Sequence, residues 1–136
     1  MVVLENRLPE PQDYNELSRS VGWGTEPDGV VRAALRGTLF AICAFERGRL
    51  VGHARLIGDG ALFVYVQDVM VHPDWQGKGV GTQLMERIVK QIDALKQRSP
   101  SLRAYLGASA GRESFYERFG FVTRRSAGLG AGMVRF

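Results

Sequence analysis

The residues best suited to chemistry lie between Asp68 and Leu84, DVMVHPDWQGKGVGTQL, where an apolar run breaks at His72-Pro73 and Gly77, Gly79 and Gly81 precede an amphipathic segment. A helix that begins behind such a turn presents backbone N–H groups without internal partners and the positive end of its dipole. That end suits a phosphate. Glycines remove the Cβ atoms that would hold the anion away, and they reach the backbone angles that turn several N–H groups toward one point. Lys78 adds positive charge at the rim. A plain tight turn would use the same glycines, and two familiar phosphate motifs are absent. There is no Gly-Lys-Ser/Thr as a P-loop requires, and Thr82 occupies the last glycine position of the dinucleotide pattern G-x-G-x-x-G.

Asp68 is the second candidate. Alternation gives it the parity of Leu62, Val64, Val66 and Met70. A carboxylate on such an apolar face is costly unless it is solvated, paired or displaced by a bulge. Desolvation would make it a better base. Equally, it could anchor local backbone or an arginine such as Arg55. Cys43, the only cysteine, lies in the apolar run LFAICAF and reads as a small buried residue rather than a nucleophile. His53 and His72 have no Cys or Asp cluster at ligand spacing around them, so no metal is expected.

These residues need strands and helices to hold them. Val2 to Asn6 reads as a short strand, and PEPQDYNELSRS as a weakly amphipathic helix with Asp13 as its N-cap. EPDGVVRAALRGT fits a second short helix stopped at Gly37. Three β-rich runs follow, in LFAICAFERGRLVGHARLIGDG and ALFVYVQDVMV, divided by Arg47-Gly48 and Gly58-Asp59-Gly60 as an antiparallel meander. Val80, Leu84, Ile88, Ile92 and Leu95 then recur every three or four residues, which predicts a helix from Val80 to Gln97. LRAYLGA reads as a strand, GRESFYERFG as a short helix stopped by Gly120, and FVTRR and GMVRF as closing strands. The strand–helix–strand order makes the middle strand and LRAYLGA parallel neighbours. The class is α+β (mixed α/β).

A chain of 136 residues, 45% hydrophobic and 24% charged, is expected to form one domain over residues 1–136. No apolar run approaches the ~20 residues of a membrane span, and the N-terminus does not read as a signal peptide, so a cytoplasmic protein is the default. The net charge of +4 suits an anionic partner, but the basic residues are scattered, which disfavours nucleic acid.

VMVHPDWQGKGVGTQLM, followed about 30 residues later by SFYERFGF, resembles the GNAT superfamily of N-acetyltransferases, whose donor motif is a strand, then [QR]-x-x-G-x-[GA], then a helix. SVGWG, IGDG and the late GM resemble more weakly its chloroplast-type and related bacterial small-amine members. The resemblance implies a central mixed, mostly antiparallel sheet of six or seven strands flanked by about four helices, splayed between its two middle parallel strands. It implies acetyl-coenzyme A as donor, with the diphosphate on the amides of Gln76, Gly77, Lys78, Gly79, Val80, Gly81 and Thr82. The pantetheine arm would pair with the backbone of Val69, Met70 and Val71, and Ser109 stands where many relatives carry an asparagine that bonds that arm. Tyr116 falls at the tyrosine that protonates the departing thiolate, and Asp68 is the candidate base, with water ordered by Asp68 or Tyr65 as the alternative. By the same resemblance, Trp23 would lie where family members form the acceptor wall. The expected acceptor is a small-molecule or peptide amine. A non-catalytic acyl-coenzyme A sensor is the alternative function, and a homodimer through an edge near Met133 to Phe136 is left open.

Overall fold

A computed structural model describes residues 1–136. The elements in order are β1 (Val3–Glu5), α1 (Pro11–Ser20), α2 (Asp28–Leu35), β2 (Thr38–Glu46), β3 (Arg49–Gly58), β4 (Phe63–Val71), α3 (Val80–Arg98), β5 (Arg103–Leu106) and α4 (Glu113–Glu117). They form one five-stranded sheet in the order β1-β2-β3-β4-β5. The chain divides into two compact units, Met1–Tyr105 and Leu106–Phe136.

Local chemistry fixes the meander. Arg47 and Gly48 both take positive φ (49° and 77°), the two-residue connection whose twist matches antiparallel strands, and Glu46 pairs with Arg49 across it. At the next turn Asp59 Oδ1 accepts from the N–H groups of Ala61, Leu62 and Phe63 at 2.8, 2.8 and 3.0 Å. Three donors to one carboxylate favour its charged form, so Asp59 titrates below the usual carboxylate range, led by the Phe63 bond. Arg103 N–H donates to Leu62 O at 3.0 Å. That bond joins the starts of β4 and β5, so the two run parallel, as a crossover through α3 requires.

The two faces of the sheet differ. On one, α3 lays down Val80, Leu84, Met85, Ile88 and Ile92, all buried, each aliphatic side chain stabilising by about 2 kcal/mol. Gly52 lets the start of α3 approach, since a Cβ there would stand 3.0 Å from Val80 Cγ1 and 3.1 Å from Leu84 Cδ1. On the other face, Leu17 of α1 packs with Cys43, Phe45, Leu50 and Met70, flanked by Tyr14 and Val21. Buried polar groups share that side with them.

Three expectations are corrected. The sheet has five strands rather than six or seven, because neither FVTRR nor GMVRF is a strand. Residues 123–129 bond among themselves instead: Ala127 N–H returns to Thr123 O at 3.3 Å, Leu129 N–H to Arg124 O at 2.8 Å, and the Ser126 hydroxyl donates to Thr123 O at 2.8 Å. Such short-range Ser and Thr bonds compete with strand pairing, and Gly128, Gly130 and Gly132 weaken it further. The N-cap of α1 is Glu10, not Asp13; Pro11 supplies the preset φ of the first helical position, which moves the start upstream and puts Asp13 in the first turn. Finally, Asp68 does not share the parity of Val64 and Val66, for the reason given below.

The second unit contains α4, where Phe115 meets Tyr116 and Phe119 edge-on at 5.1 and 5.4 Å, and Tyr116 meets Phe121 at 6.5 Å. Gly120, at φ 88°, ends this turn as the sequence predicts.

Candidate functional site

The turn between β4 and α3 is built from its own side chains. His72 Nδ1 accepts from Asp74 N–H at 3.1 Å and caps a short 3-10 turn over Pro73–Trp75. Gln76 Nε2 donates to Val71 O at 2.9 Å, and Gln76 N–H turns back to Pro73 O at 3.3 Å. Lys78 Nζ lies over the Trp75 ring, 4.9 Å from its centroid. Gly77 and Gly79 take φ of 74° and 84°, and a Cβ at either would meet nothing of the protein and project into open space. The first bond of α3 runs from Gln83 N–H to Gly79 O at 3.0 Å. Upstream of it, the N–H groups of Gly77, Lys78, Gly79, Val80 and Gly81 have no backbone acceptor. No acidic residue stands in the first turn of α3 to compete for that end.

β4 carries a bulge immediately before this turn. Val66 pairs with Leu56 and Gln67 with Arg55, but Met70 pairs with His53, so Ala54 alone faces both Asp68 and Val69. Asp68 absorbs the extra residue at φ 58°, a conformation that aspartate tolerates better than most residues at a cost of about 1 kcal/mol. The bulge changes the alternation. Val66, paired with Leu56, lies on the α3 side, whereas Met70, paired with His53, joins the α1 side.

Asp68 is buried and paired: Arg55 Nε donates to its Oδ2 at 2.7 Å, and Gln67 Nε2 lies 3.3 Å from Oδ1. Arg55 Nη1 also donates to Ala34 O and to Thr38 Oγ1, each at 3.1 Å. Tyr14 of α1 hydrogen-bonds toward the same carboxylate. Burial first, then the Asp68 charge and this bond, raise the Tyr14 phenol well above its ordinary range.

His53 lies beside this pair with no exposed surface. Its Nδ1 is 3.1 Å from Ile42 O, which can only accept, so Nδ1 carries the proton and the buried, unpartnered Nε2 does not. Burial lowers its pKa to about 4 despite the opposing Asp68 charge. Cys43 Sγ, 3.7 Å from His53 Nδ1, donates to Arg7 O at 3.2 Å, and burial pushes its thiol up to about 12. Sequence reasoning missed Tyr14 and His53. The signal for His53 was a polar residue inside the apolar run VGHARL.

The remaining residues are dispersed. Val69 and Val71 are half-buried, Met70 is buried, and Tyr65 on β4 pairs with Ile57. Trp23 is half exposed on the loop between α1 and α2, which Asn15 clasps through both amide atoms, Nδ2 to Glu26 O at 2.8 Å and Oδ1 from Glu26 N–H at 3.1 Å. Ser109 and Tyr116 belong to the second unit. Ser109 is exposed and its carbonyl accepts from Arg112 N–H at 2.9 Å. Tyr116 is half-buried, and that burial raises its phenol pKa against the opposing charge of Arg112.

Comparison with known proteins locates this arrangement. The family model described as an acetyltransferase (GNAT) domain matches residues 36–123. An uncharacterized N-acetyltransferase (ycf52) of Porphyra purpurea is 34% identical over 114 residues, covering 81% of this chain and 63% of that protein. The chain thus spans about three-fifths of the length of the curated relatives it matches. A probable acetyltransferase from Staphylococcus aureus is 27% identical, with a TM-score of 0.88 and full coverage of both chains. A GNAT family acetyltransferase from Brucella melitensis, solved in complex with acetyl-CoA, shares the fold at TM-score 0.66 and 23% identity over 90% of this chain and 84% of its own. The matched span takes in the glycine turn, the bulged strand and the helix behind them: the chain belongs to the GNAT acetyltransferase family.

Proposed function

We propose that this domain transfers an acetyl group from acetyl-coenzyme A to a primary amine by direct attack in a ternary complex. The observation that carries this reading is the run of N–H groups from Gly77 to Gly81, without backbone acceptors, at the start of a 19-residue helix. Donors of that kind, beside a helix dipole, suit the diphosphate of coenzyme A. The acetyl-CoA complex of the Brucella relative supports the same donor. In this reading Gln76 shapes the turn, Lys78 and Thr82 flank the diphosphate, and the backbone of Val69, Met70 and Val71 pairs with the pantetheine arm beside a splay of the parallel strands. Ser109 offers that arm a hydroxyl.

The amine nitrogen attacks the thioester carbonyl, a C–N bond forms and the C–S bond breaks. Sulfur leaves as a thiolate and takes its proton from the Tyr116 phenol, whose raised pKa keeps that proton in place beforehand. The nitrogen gives its proton to water ordered by Tyr65. The sequence allows Asp68 to be either the base or an anchor for an arginine, and its 2.7 Å bond to Arg55 favours the anchor. Trp23 offers the acceptor an aromatic surface, and the acceptor class is a small-molecule or peptide amine.

Thiol release measured across a panel of amines tests this reading. At least one amine is expected to release coenzyme A, and Tyr116→Phe is expected to bind acetyl-coenzyme A normally but turn over more slowly, within the 10²–10⁴-fold range, roughly, of general acid catalysis. Saturable binding with no thiol release from any amine would replace the enzyme with an acyl-coenzyme A sensor.

A further inference from the structure

We infer that Arg55 is a positioning residue for donor binding: it locks the bulge of β4, and so sets the direction of the Val69–Val71 backbone. This rests on the acetyl-coenzyme A reading above. The guanidinium is almost fully buried and ties three places together, the Asp68 carboxylate at the bulge, Ala34 O at the end of α2 and Thr38 Oγ1 at the start of β2. Asp68 sits at a positive φ that a strand does not supply by itself, and strained backbone persists where surroundings over-determine it. The ion pair is the surrounding group that does so here. Val69 is the next residue, and with Asp68 it shares one opposing residue, Ala54, so the angle at Asp68 decides where the backbone groups of Val69 to Val71 point.

Arginine is suited to this work and lysine is not. A planar fork can serve a carboxylate, a carbonyl and a hydroxyl at once, whereas an ammonium on a flexible stem keeps the charge without the geometry. The glycine turn has anchors beyond this stretch: His72 N–H donates to Val51 O, His72 Nδ1 accepts from Asp74 N–H, and Gln76 N–H donates to Pro73 O. Loss of Arg55 therefore weakens grip on the pantetheine arm while leaving the diphosphate subsite intact.

The test is calorimetric titration of wild type and Arg55→Lys with two probes: acetyl-coenzyme A, and ADP, which carries a diphosphate but no pantetheine arm. Arg55→Lys is expected to bind acetyl-coenzyme A about tenfold more weakly, the net worth of one or two backbone hydrogen bonds, with ADP affinity unchanged. Thr38→Val, which removes one of the three contacts and keeps the ion pair, is expected to lose about two- to threefold for acetyl-coenzyme A alone. It serves in place of Arg55→Lys if that variant does not fold. Unchanged acetyl-coenzyme A affinity in the variants, or equal losses for both probes, overturns the inference while the donor reading stands. Failure of wild type to bind either probe overturns both.

Discussion

The two faces of the sheet within Met1–Tyr105 are built on opposite terms. The α3 side buries only apolar residues, with Gly52 letting Val80 and Leu84 approach, whereas the α1 side buries Cys43, His53, Arg55 and Asp68 beside the half-buried Tyr14. A uniform apolar face tolerates substitution in proportion to volume, because only packing is at stake. A face with a buried ion pair depends on the partners staying matched, since one charge without the other is worse than neither. The first face fixes where α3 begins, and the second fixes the bulge that re-aims the strand leading into the glycine turn.

The largest contrast should come from Asp68→Asn. Asparagine accepts the positive φ, so the change isolates the charge, and leaving Arg55 buried and unpaired should cost about 3–5 kcal/mol in urea unfolding. Adding Arg55→Met should recover much of it. A single-variant loss below about 1 kcal/mol would place this pair with surface ion pairs and erase the contrast.

The pH dependence should follow the same face. The folded pKa of His53, about 4, lies below its unfolded value near 6.5, so the unfolded chain binds the extra proton first as pH falls. Stability from this group is complete above about pH 6.5 and declines toward pH 4, by up to about 3 kcal/mol. His53→Gln should flatten that slope in unfolding midpoints measured across this window. An unchanged slope would assign the acid sensitivity elsewhere.

The apolar face should respond less. Gly52→Ala puts a methyl 3.0–3.3 Å from Val80, Leu84 and Ala44, close enough to force small shifts and to cost about 1–2 kcal/mol in the same unfolding assay. A stabilised variant would mean that α3 has room to rise. The smallest signal concerns Cys43. With its thiol pushed up to about 12 and fully buried, it should not react with a disulfide reagent at pH 8 until the protein is unfolded. Rapid native labelling would show that the polar face opens.

Sequence patterns register these faces unequally. The α3 side was legible because period and burial agree: steps of three and four from Val80 predict a helix that the structure runs from Val80 to Arg98. Gly48 and Gly120 were legible because positive φ leaves few choices of residue. Asp68 was visible as an anomaly, yet its parity was misread, since one inserted residue reverses alternation and no local rule announces a bulge at an aspartate. His53 and Tyr14 gave no periodic signal, because their meaning depends on neighbours brought from other elements. The closing strands failed because FVTRR and GMVRF have strand composition, while Thr123, Ser126 and three glycines favour local turns.

The central claim is that the glycine turn before α3 holds the diphosphate of acetyl-coenzyme A, and titrating that compound into wild type and Gly79→Ala tests it most directly. Gly79 takes φ 84°, which alanine adopts only under strain, and an added methyl would occupy the open side of the turn. Saturable heat from wild type with binding at least about tenfold weaker in Gly79→Ala is the predicted result. No heat from wild type, or equal affinity in the two proteins, would contradict it.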